Sequence, residues 1–228
     1  MTTLSYDAVL FDLDGVLTST AVLHAHCWKH TFDDVLAEHG QEPFDLERDY
    51  VAYVDGKMRA DGVRDFLAAR GIDAPDATVT AIADRKQALV ERALLRGGVE
   101  PFEGSVRWVR QLREAGVRTA VVSSSANAAA VLSAAGISDL FDDTVDGSDI
   151  TRLGFAGKPA PDGFLEAARR LGVEPRRAVV VEDAVAGVAA GRAGEFGLVI
   201  GVARTADPDD LRSAGADVVV GDLSELAP

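Results

Sequence analysis

Short, continuously apolar segments recur along the chain, and each of them ends at charged or glycine-containing sequence. Uninterrupted apolar runs of this length are typical of parallel strands that are covered on both faces. The segments predicted as strands are AVLFDLD (8–14), RTAVVSSS (118–125), RAVVVED (177–183), GLVIGV (197–202) and ADVVVGD (216–222).

Helical patterns lie between these predicted strands. The segments PFEGSVRWVRQLREAG (101–116) and PDGFLEAARRLG (161–172) repeat apolar residues at helical spacing and end at glycine. Because strands and helices alternate, the sequence predicts an α/β fold with a doubly wound, Rossmann-like parallel sheet.

The region from about Thr20 to Gly98 interrupts this alternation. Its apolar-periodic segments 21–40, 62–71 and 77–98 all predict helices, with no convincing strand between them. We expect this all-helical insert to form a second lobe, joined to the sheet near Ser19 and near residues 98–101. The predicted division is a core of residues 1–18 and 100–228 and a helical cap domain of residues 19–99.

The charge and composition of the chain limit the kinds of molecule that it can bind. The chain of 228 residues has a formal charge of 23 − 37 = −14, so it lacks the positive field that neutralises nucleic-acid phosphates. Neither a signal peptide nor a segment of membrane-spanning length is evident. The single cysteine, Cys27, excludes an internal disulfide and fits a reducing compartment. We therefore expect a cytoplasmic protein that binds neither nucleic acid nor membrane.

Two aspartates, Asp12 and Asp14, stand at the end of the first predicted strand, in FDLDGVLTST. Side chains alternate along a strand, so both point to the same side, at the edge where open α/β sheets bind ligands. Neighbouring carboxylates repel unless a cation or a proton offsets the repulsion. Taken alone, the pair is equally consistent with a solvated Asp-Gly turn.

Polar side chains also follow the later strands: Ser123, then Lys158, then Glu182 and Asp183. Singly, the serine and the acidic pair could be helix caps, and the lysine could be a solvated loop residue. Parallel strands bring their carboxyl ends to one edge, so together these residues predict a cluster of carboxylates, a lysine and a hydroxyl. Hard oxygen ligands of this kind favour Mg²⁺.

The order of these motifs, D-x-D-G-V-x-T, an apolar strand ending in Ser, K-P-x-P-D and E-D, resembles the haloacid dehalogenase superfamily over nearly the whole chain. The resemblance implies that Asp12 is a nucleophile that forms an aspartyl phosphate, and that Asp14 is the general acid and base. It also implies that Ser123 and Lys158 hold the transferring phosphoryl group. The implied Mg²⁺ ligands are Asp12, Asp14 through its main-chain carbonyl, Glu182 and Asp183.

The helical insert resembles the cap of the β-phosphoglucomutase-like subfamily of this superfamily. In particular, DGVRDFL resembles a cap loop whose arginine, here Arg64, binds the phosphate that is not being transferred. The substrate-binding residues that the resemblance implies are Thr20, His24, Gly62, Arg64, Lys86, Ser124, Ser125 and Asn127. Each has a plainer alternative: a helix cap for Thr20, a structural role for His24, a surface position for Arg64 and a lysine stem along an apolar stripe for Lys86.

The subfamily implies a monomeric, Mg²⁺-dependent enzyme that converts β-glucose 1-phosphate to glucose 6-phosphate. The alternative is a phosphatase of the same fold that hydrolyses a small sugar or polyol phosphate. Two departures favour the alternative: Ser19 stands where the mutases usually have an aspartate, and Ala126 stands where a lysine contributes to the distal phosphate site. A phospho-accepting signalling module has no need of a helical cap or of Asp14.

Overall fold

The computed structural model describes residues 6–97 and 99–226. In that part of the chain six strands form one parallel sheet: β1 (Ala8–Phe11), β2 (Arg118–Val122), β3 (Asp143–Val145), β4 (Ala178–Glu182), β5 (Leu198–Val202) and β6 (Val218–Val220). Their spatial order is β3-β2-β1-β4-β5-β6. The predicted fold class is confirmed, and so are its five strands. The sequence reading missed β3, a three-residue edge strand of which only Val145 is fully buried.

Helices cover both faces of the sheet and form the insert. They are α1 (Thr20–Glu38), α2 (Arg59–Ala69), α3 (Asp76–Leu95), α4 (Glu103–Glu114), α5 (Ala128–Ala134), α6 (Gly147–Leu153), α7 (Asp162–Leu171), α8 (Val185–Ala193) and α9 (Pro208–Ala214), with a π-helical turn at Tyr50–Val54. Among the residues that the structure describes, no helix is both long enough and apolar enough to cross a membrane.

The packing of strand β1 explains why its sequence is continuously apolar. Val9 and Phe11 face one layer of the core, where Phe11 meets Trp108 of α4 edge-on, with 5.6 Å between ring centroids. Leu10 faces the opposite layer, together with Phe164 of α7. Both faces of the strand are therefore covered, and polar side chains can appear only where it ends.

The insert has an apolar cluster of its own, made by residues between Ala25 and Ala83. Its centre is aromatic: Phe32 lies 5.0 Å from Trp28 and 4.3 Å from Phe66, measured between ring centroids. The helical pattern predicted for this region is present, and its described residues, Thr20 to Gly97, contain no strand.

The two connections to the insert run side by side. The amide of Ser19 donates a hydrogen bond to the carbonyl of Glu100 at 3.0 Å, and the amide of Phe102 donates to Leu17 at 2.9 Å. Gly98, part of the predicted second connection, lies outside the described residues.

The strand order fixes where a ligand can bind. From β1 the chain moves outward through β2 to β3, and it then returns to place β4 on the other side of β1. Such a switch in direction opens a crevice at the carboxyl ends of the two central strands, here β1 and β4.

Candidate active site

Asp12 follows β1 directly and lies in the crevice. It is 6% exposed, and its amide continues the sheet by donating to the carbonyl of Val181 at 2.9 Å. The chain then turns at Gly15, whose φ is +94°. A Cβ at Gly15 would lie 1.9 Å from the Oδ2 atom of Asp183, so only glycine lets this turn approach the acidic residue.

Lys158 joins the carboxylates of the two central strands. Its Nζ atom lies 2.5 Å from Asp12 Oδ1 and 2.6 Å from Glu182 Oε1, and it also donates to the carbonyl of Val122 at 3.2 Å. Burial lowers the pKa of Lys158, but Asp12 and Glu182 outweigh this effect and raise the pKa above its ordinary value. The lysine is therefore a permanent buried cation.

Three buried carboxylates, from Asp12, Glu182 and Asp183, each offer an oxygen within 4.8 Å of the others. Burial raises the pKa of Asp12 to about 6, that of Glu182 to about 7, and that of Asp183 well above its ordinary value; neighbouring carboxylates act in the same direction and Lys158 opposes them. Glu182 Oε2 accepts hydrogen bonds from the amides of Asp183 and Ala184. In contrast, Asp183 Oδ2 is buried without a hydrogen-bond partner in the described residues.

This donor set fits a hard divalent cation. Such an ion takes oxygen ligands and offsets the repulsion between carboxylates that share a dry site. Asp12 and Asp183 could hold it directly. Both oxygens of Glu182 already face donors, so this residue is placed to fix Lys158 and the loop after β4.

Asp14 faces the cap rather than Lys158. The hydroxyl of Thr20 donates to Asp14 Oδ1, and the Nε2 atom of His24 lies 3.6 Å from the same oxygen. The other ring nitrogen of His24, Nδ1, lies 2.8 Å from Lys86 Nζ. Burial and the nearby cation Lys86 lower the pKa of His24 well below its ordinary value, so the ring is neutral. Nδ1 then accepts from the ammonium of Lys86, and Nε2 carries the proton that faces Asp14.

Lys86 is itself buried, and burial lowers its pKa to about 8 although Asp14 acts in the opposite direction. Its ammonium lies 4.9 Å from the centroid of the Trp28 ring. Trp28 stacks on Phe32 in the core of the insert and also lines the cavity.

The segment after β2 turns its hydroxyls inward. Ser123 is fully buried, and its Oγ accepts from the amide of Ser125 at 3.0 Å. The hydroxyl of Ser124 reaches across to the insert and donates to the carbonyl of Gly56 at 2.7 Å. Asn127 forms a reciprocal amide pair with Gln87 of α3, with hydrogen bonds of 2.7 and 3.1 Å.

Arg64 and Gly62 are not brought to the site. Arg64 is half-exposed and pairs with Asp76 at 3.0 Å, while Gly62 packs against Val54. The arginine in the cavity is Arg59, whose guanidinium donates to Gln87 Oε1 at 2.6 Å. Five helical residues correspond to a rotation of about 140° beyond a full turn, so Arg59 and Arg64 occupy different faces of α2.

A signal for Arg59 was present in the sequence. The chain contains two Asp-Gly segments that are followed by an arginine, DGKMR (55–59) and DGVR (61–64). The second lies inside the apolar periodicity of a helix, whereas the first contains Gly56 with φ +70° just before that helix begins.

Both lobes enclose one small cavity of about 40 Å³. Its lining consists of Asp12, Asp14, His24, Trp28, Tyr50, Val54, Asp55, Gly56, Lys57, Arg59, Lys86, Ser124, Ser125 and Asp183. Sequence reasoning missed Tyr50, Asp55, Lys57 and Arg59. A larger open groove of about 830 Å³ borders it, shares Asp55 and Lys57 with it and is lined by Lys158, but contains none of Asp12, Asp14 and Asp183. The chemistry therefore belongs to the smaller cavity.

A doubly wound sheet, a buried acidic cluster at its switch point and a helical insert over that cluster define a capped α/β enzyme. A family model for haloacid dehalogenase-like hydrolases matches residues 6–194. The chain belongs to this family, as its motifs indicated.

Two relatives and one solved structure show which members of this family the chain is similar to. A β-phosphoglucomutase from Mycobacterium bovis is 48% identical over 237 aligned positions, which cover 96% of this chain and 90% of that protein. A validoxylamine A 7′-phosphate phosphatase from Streptomyces hygroscopicus subsp. limoneus is 32% identical and covers 97% of this chain and 96% of its own length. The crystal structure of a β-phosphoglucomutase from Clostridium difficile superposes with a TM-score of 0.79 at 25% identity, over 97% of this chain and 93% of that one.

Proposed function

We propose that this chain is a Mg²⁺-dependent β-phosphoglucomutase that converts β-glucose 1-phosphate to glucose 6-phosphate through a phosphorylated Asp12. The observation that carries the proposal is that one closed cavity is lined by two sets of groups. Asp12, Asp14 and Asp183 provide the acidic centre, while Arg59 and Ser125 provide donors for a second anion. A mutase needs both sets because its intermediate carries a phosphate at each end.

In the proposed mechanism Asp12 carries the phosphoryl group. The C6 hydroxyl of β-glucose 1-phosphate attacks the phosphorus of phospho-Asp12, Asp14 takes the hydroxyl proton, and the carboxylate of Asp12 leaves. The resulting 1,6-bisphosphate then reorients so that Asp12 attacks the C1 phosphate. Asp14 returns its proton to the departing C1 oxygen, and glucose 6-phosphate is released.

Each neighbour of Asp12 has a defined task in these steps. Lys158 and Ser123 neutralise and orient the equatorial oxygens of the transferring group. Asp12, Asp183 and the main-chain carbonyl of Asp14 would hold Mg²⁺, which would supply further charge neutralisation at the phosphoryl group. Thr20 orients the Asp14 carboxyl through its hydrogen bond, and His24, kept neutral beside Lys86, adds no second positive charge next to that carboxyl.

We further propose that residues 19–99 act as a mobile cap. The cavity of about 40 Å³ is far smaller than the roughly 300 Å³ or more of a typical small-molecule site. Sugar phosphate therefore enters only when the insert moves away from the sheet. The paired connections at Ser19 and Glu100 are where such a motion can occur, and closure then keeps water away from phospho-Asp12.

The second candidate is a phosphatase for a small sugar or polyol phosphate. Ala126 favours it, because an alanine in the segment between Ser125 and Asn127 adds no charge to the second anion site. The similarity to a phosphatase at 32% identity supports it as well. Both candidates use the same aspartates, so only the products distinguish them.

Phosphorus NMR of the products tests the proposal. Purified protein receives Mg²⁺, β-glucose 1-phosphate and a trace of glucose 1,6-bisphosphate. We expect glucose 6-phosphate to accumulate, the isosteric Asp12→Asn variant to abolish it, and the exposed-site control Asp209→Asn to leave it unchanged. Inorganic phosphate as the sole product would establish the phosphatase instead.

A further inference from the structure

Asp55 is a buried carboxylate of the insert to which the proposed mechanism gives no task. It follows the π-helical turn Tyr50–Val54, where the backbone becomes extended with φ −64° and ψ 131°. Its side chain lines the same cavity as Asp12, Asp14 and Asp183, and the residue is only 6% exposed.

The adjoining loop holds Asp55 against the sheet. Gly56, the next residue, accepts a hydrogen bond from Ser124 through its carbonyl, and a Cβ at Gly56 would lie 2.8 Å from the Cβ of Ala184. Tyr50 lies beside Asp55 on the other side: its hydroxyl neighbours the carboxyl, and its carbonyl accepts from the Asp55 amide at 3.0 Å. The loop is therefore held against the sheet through Gly56, and the Asp55 carboxyl is positioned within the insert by Tyr50.

One oxygen of this fixed carboxyl is unused. Asp55 Oδ2 is buried and has no hydrogen-bond partner in the described part of the chain. Leaving such an acceptor unsatisfied costs about 1–3 kcal/mol, and more for a charged group. Lys57, a cation of the same loop, is already paired with Asp65 at 2.6 Å.

The chemistry of the surroundings restricts what can bind there. A phosphate oxygen would be repelled by a carboxylate and already has cationic and hydroxyl partners elsewhere in the cavity. A metal ion is provided for by Asp12 and Asp183, and Asp55 does not belong to the cluster of converging carboxylate oxygens in the described residues. What remains is a ligand that donates a hydrogen bond, and a sugar ring offers several hydroxyl donors.

We propose that Asp55 is a specificity-determining residue that accepts a hydrogen bond from one ring hydroxyl of the bound sugar. The inference rests on the proposed function, since it concerns the same cavity and the sugar phosphate assigned to it. The hydroxyl is one of those at C2, C3 or C4, because C1 carries phosphate and the C6 hydroxyl is the phosphoryl acceptor. Burial at this position makes the contact selective, since an analogue without that hydroxyl leaves Asp55 unsatisfied.

The test pairs enzyme variants with deoxy substrates. Wild type, Asp55→Asn, Asp55→Ala and the exposed cap control Asp76→Asn are assayed with β-glucose 1-phosphate and its 2-, 3- and 4-deoxy analogues. In wild type and in the control, we expect loss of one hydroxyl to lower kcat/KM on the order of 10- to 100-fold. For Asp55→Ala, kcat/KM with β-glucose 1-phosphate should fall by a similar factor relative to wild type. Within this variant, kcat/KM for the same deoxy analogue should then be lower than for the parent sugar by about 2-fold or less. Asp55→Asn keeps a hydrogen-bond acceptor in a side chain of the same shape, so its deoxy penalty in kcat/KM should lie between those of wild type and Asp55→Ala.

Two outcomes would overturn the inference, and they are distinguishable. If Asp55→Ala keeps the full deoxy penalty at every position while wild type makes glucose 6-phosphate, Asp55 binds no ring hydroxyl and the mutase proposal survives. If wild type itself forms no glucose 6-phosphate, the mutase proposal fails and the assignment of Asp55 fails with it. Thermal melting of all variants checks that each is folded.

Discussion

Gly56 offers the most direct test of cap closure. Substituting alanine has two effects, because φ is +70° and because the new Cβ meets Ala184 at 2.8 Å. The first effect, the strain of a left-handed residue, is on the order of 1–2 kcal/mol and is present whether the cap is open or closed. The second exists only when the loop lies against the sheet.

The size of the second effect follows from the contact distances. Carbon atoms pack at about 3.5–4.0 Å, so the loop must retreat by about 0.7 Å or more. That movement weakens the 2.7 Å hydrogen bond from Ser124 to Gly56, which is worth about 0.5–1.5 kcal/mol, and loses apolar contacts as well. Since 1.4 kcal/mol corresponds to a factor of ten, kcat/KM for Gly56→Ala should fall by about 10-fold.

Gly71 provides a matched control in the same insert. Its φ is +67°, but a Cβ there would meet nothing within 4 Å. In urea titrations both variants should lose the free energy of unfolding that left-handed strain costs, and Gly56→Ala should lose more because the closed form also carries the contact with Ala184. Only Gly56→Ala should lose activity in the steady-state assay. Equal kcat/KM values for the two variants would refute the view that this loop docks during turnover.

Three further predictions concern the charges of the site. Arg59→Ala removes a charged donor from the cavity and should raise KM for the sugar phosphate about 10- to 100-fold, while Arg64→Ala, on the outer face of α2, should leave steady-state kinetics unchanged. Because the pKa of Lys86 is lowered to about 8, its ammonium loses its proton above that pH, so kcat/KM should decline on the alkaline side and Lys86→Met should flatten that limb. Mg²⁺ at a hundred times its Kd should add about 2.7 kcal/mol to the free energy of unfolding. Asp183→Asn, which relieves repulsion in the metal-free protein, should stabilise that form and abolish the Mg²⁺ effect in calorimetry.

The acidic centre could be predicted because the topology of a parallel sheet brings residues that are distant in the sequence to the same edge. Once apolar runs indicate parallel strands, the residues that follow them must meet at one edge, however far apart they lie in the sequence. Asp12 and Lys158 are 146 residues apart and still in contact. The missed strand β3 has no such signal, since three residues at a sheet edge are too few to form a run.

The cap side of the cavity could not be derived in this way. Its residues reach the site through packing between lobes, which leaves no regular period in the sequence. Tyr50 and Asp55 lie around a π-helical turn, an irregular element that propensity does not predict. The sequence indicates Arg64 because DGVRDFL resembles a cap loop of the subfamily, whereas the arginine that lines the cavity, Arg59, stands at the first position of α2.

The amide pair between Gln87 and Asn127 has a consequence for how a substrate binds. In the closed structure Arg59 also donates to Gln87, so the groups proposed to receive the second phosphate already have a protein partner. Binding there is an exchange of partners rather than the filling of an empty site, and its free energy is a difference between two sets of polar contacts. When the phosphate departs, Gln87 can accept from Arg59 and pair with Asn127 again. The bisphosphate can therefore dissociate at that end without leaving the half-buried guanidinium of Arg59 unpaired.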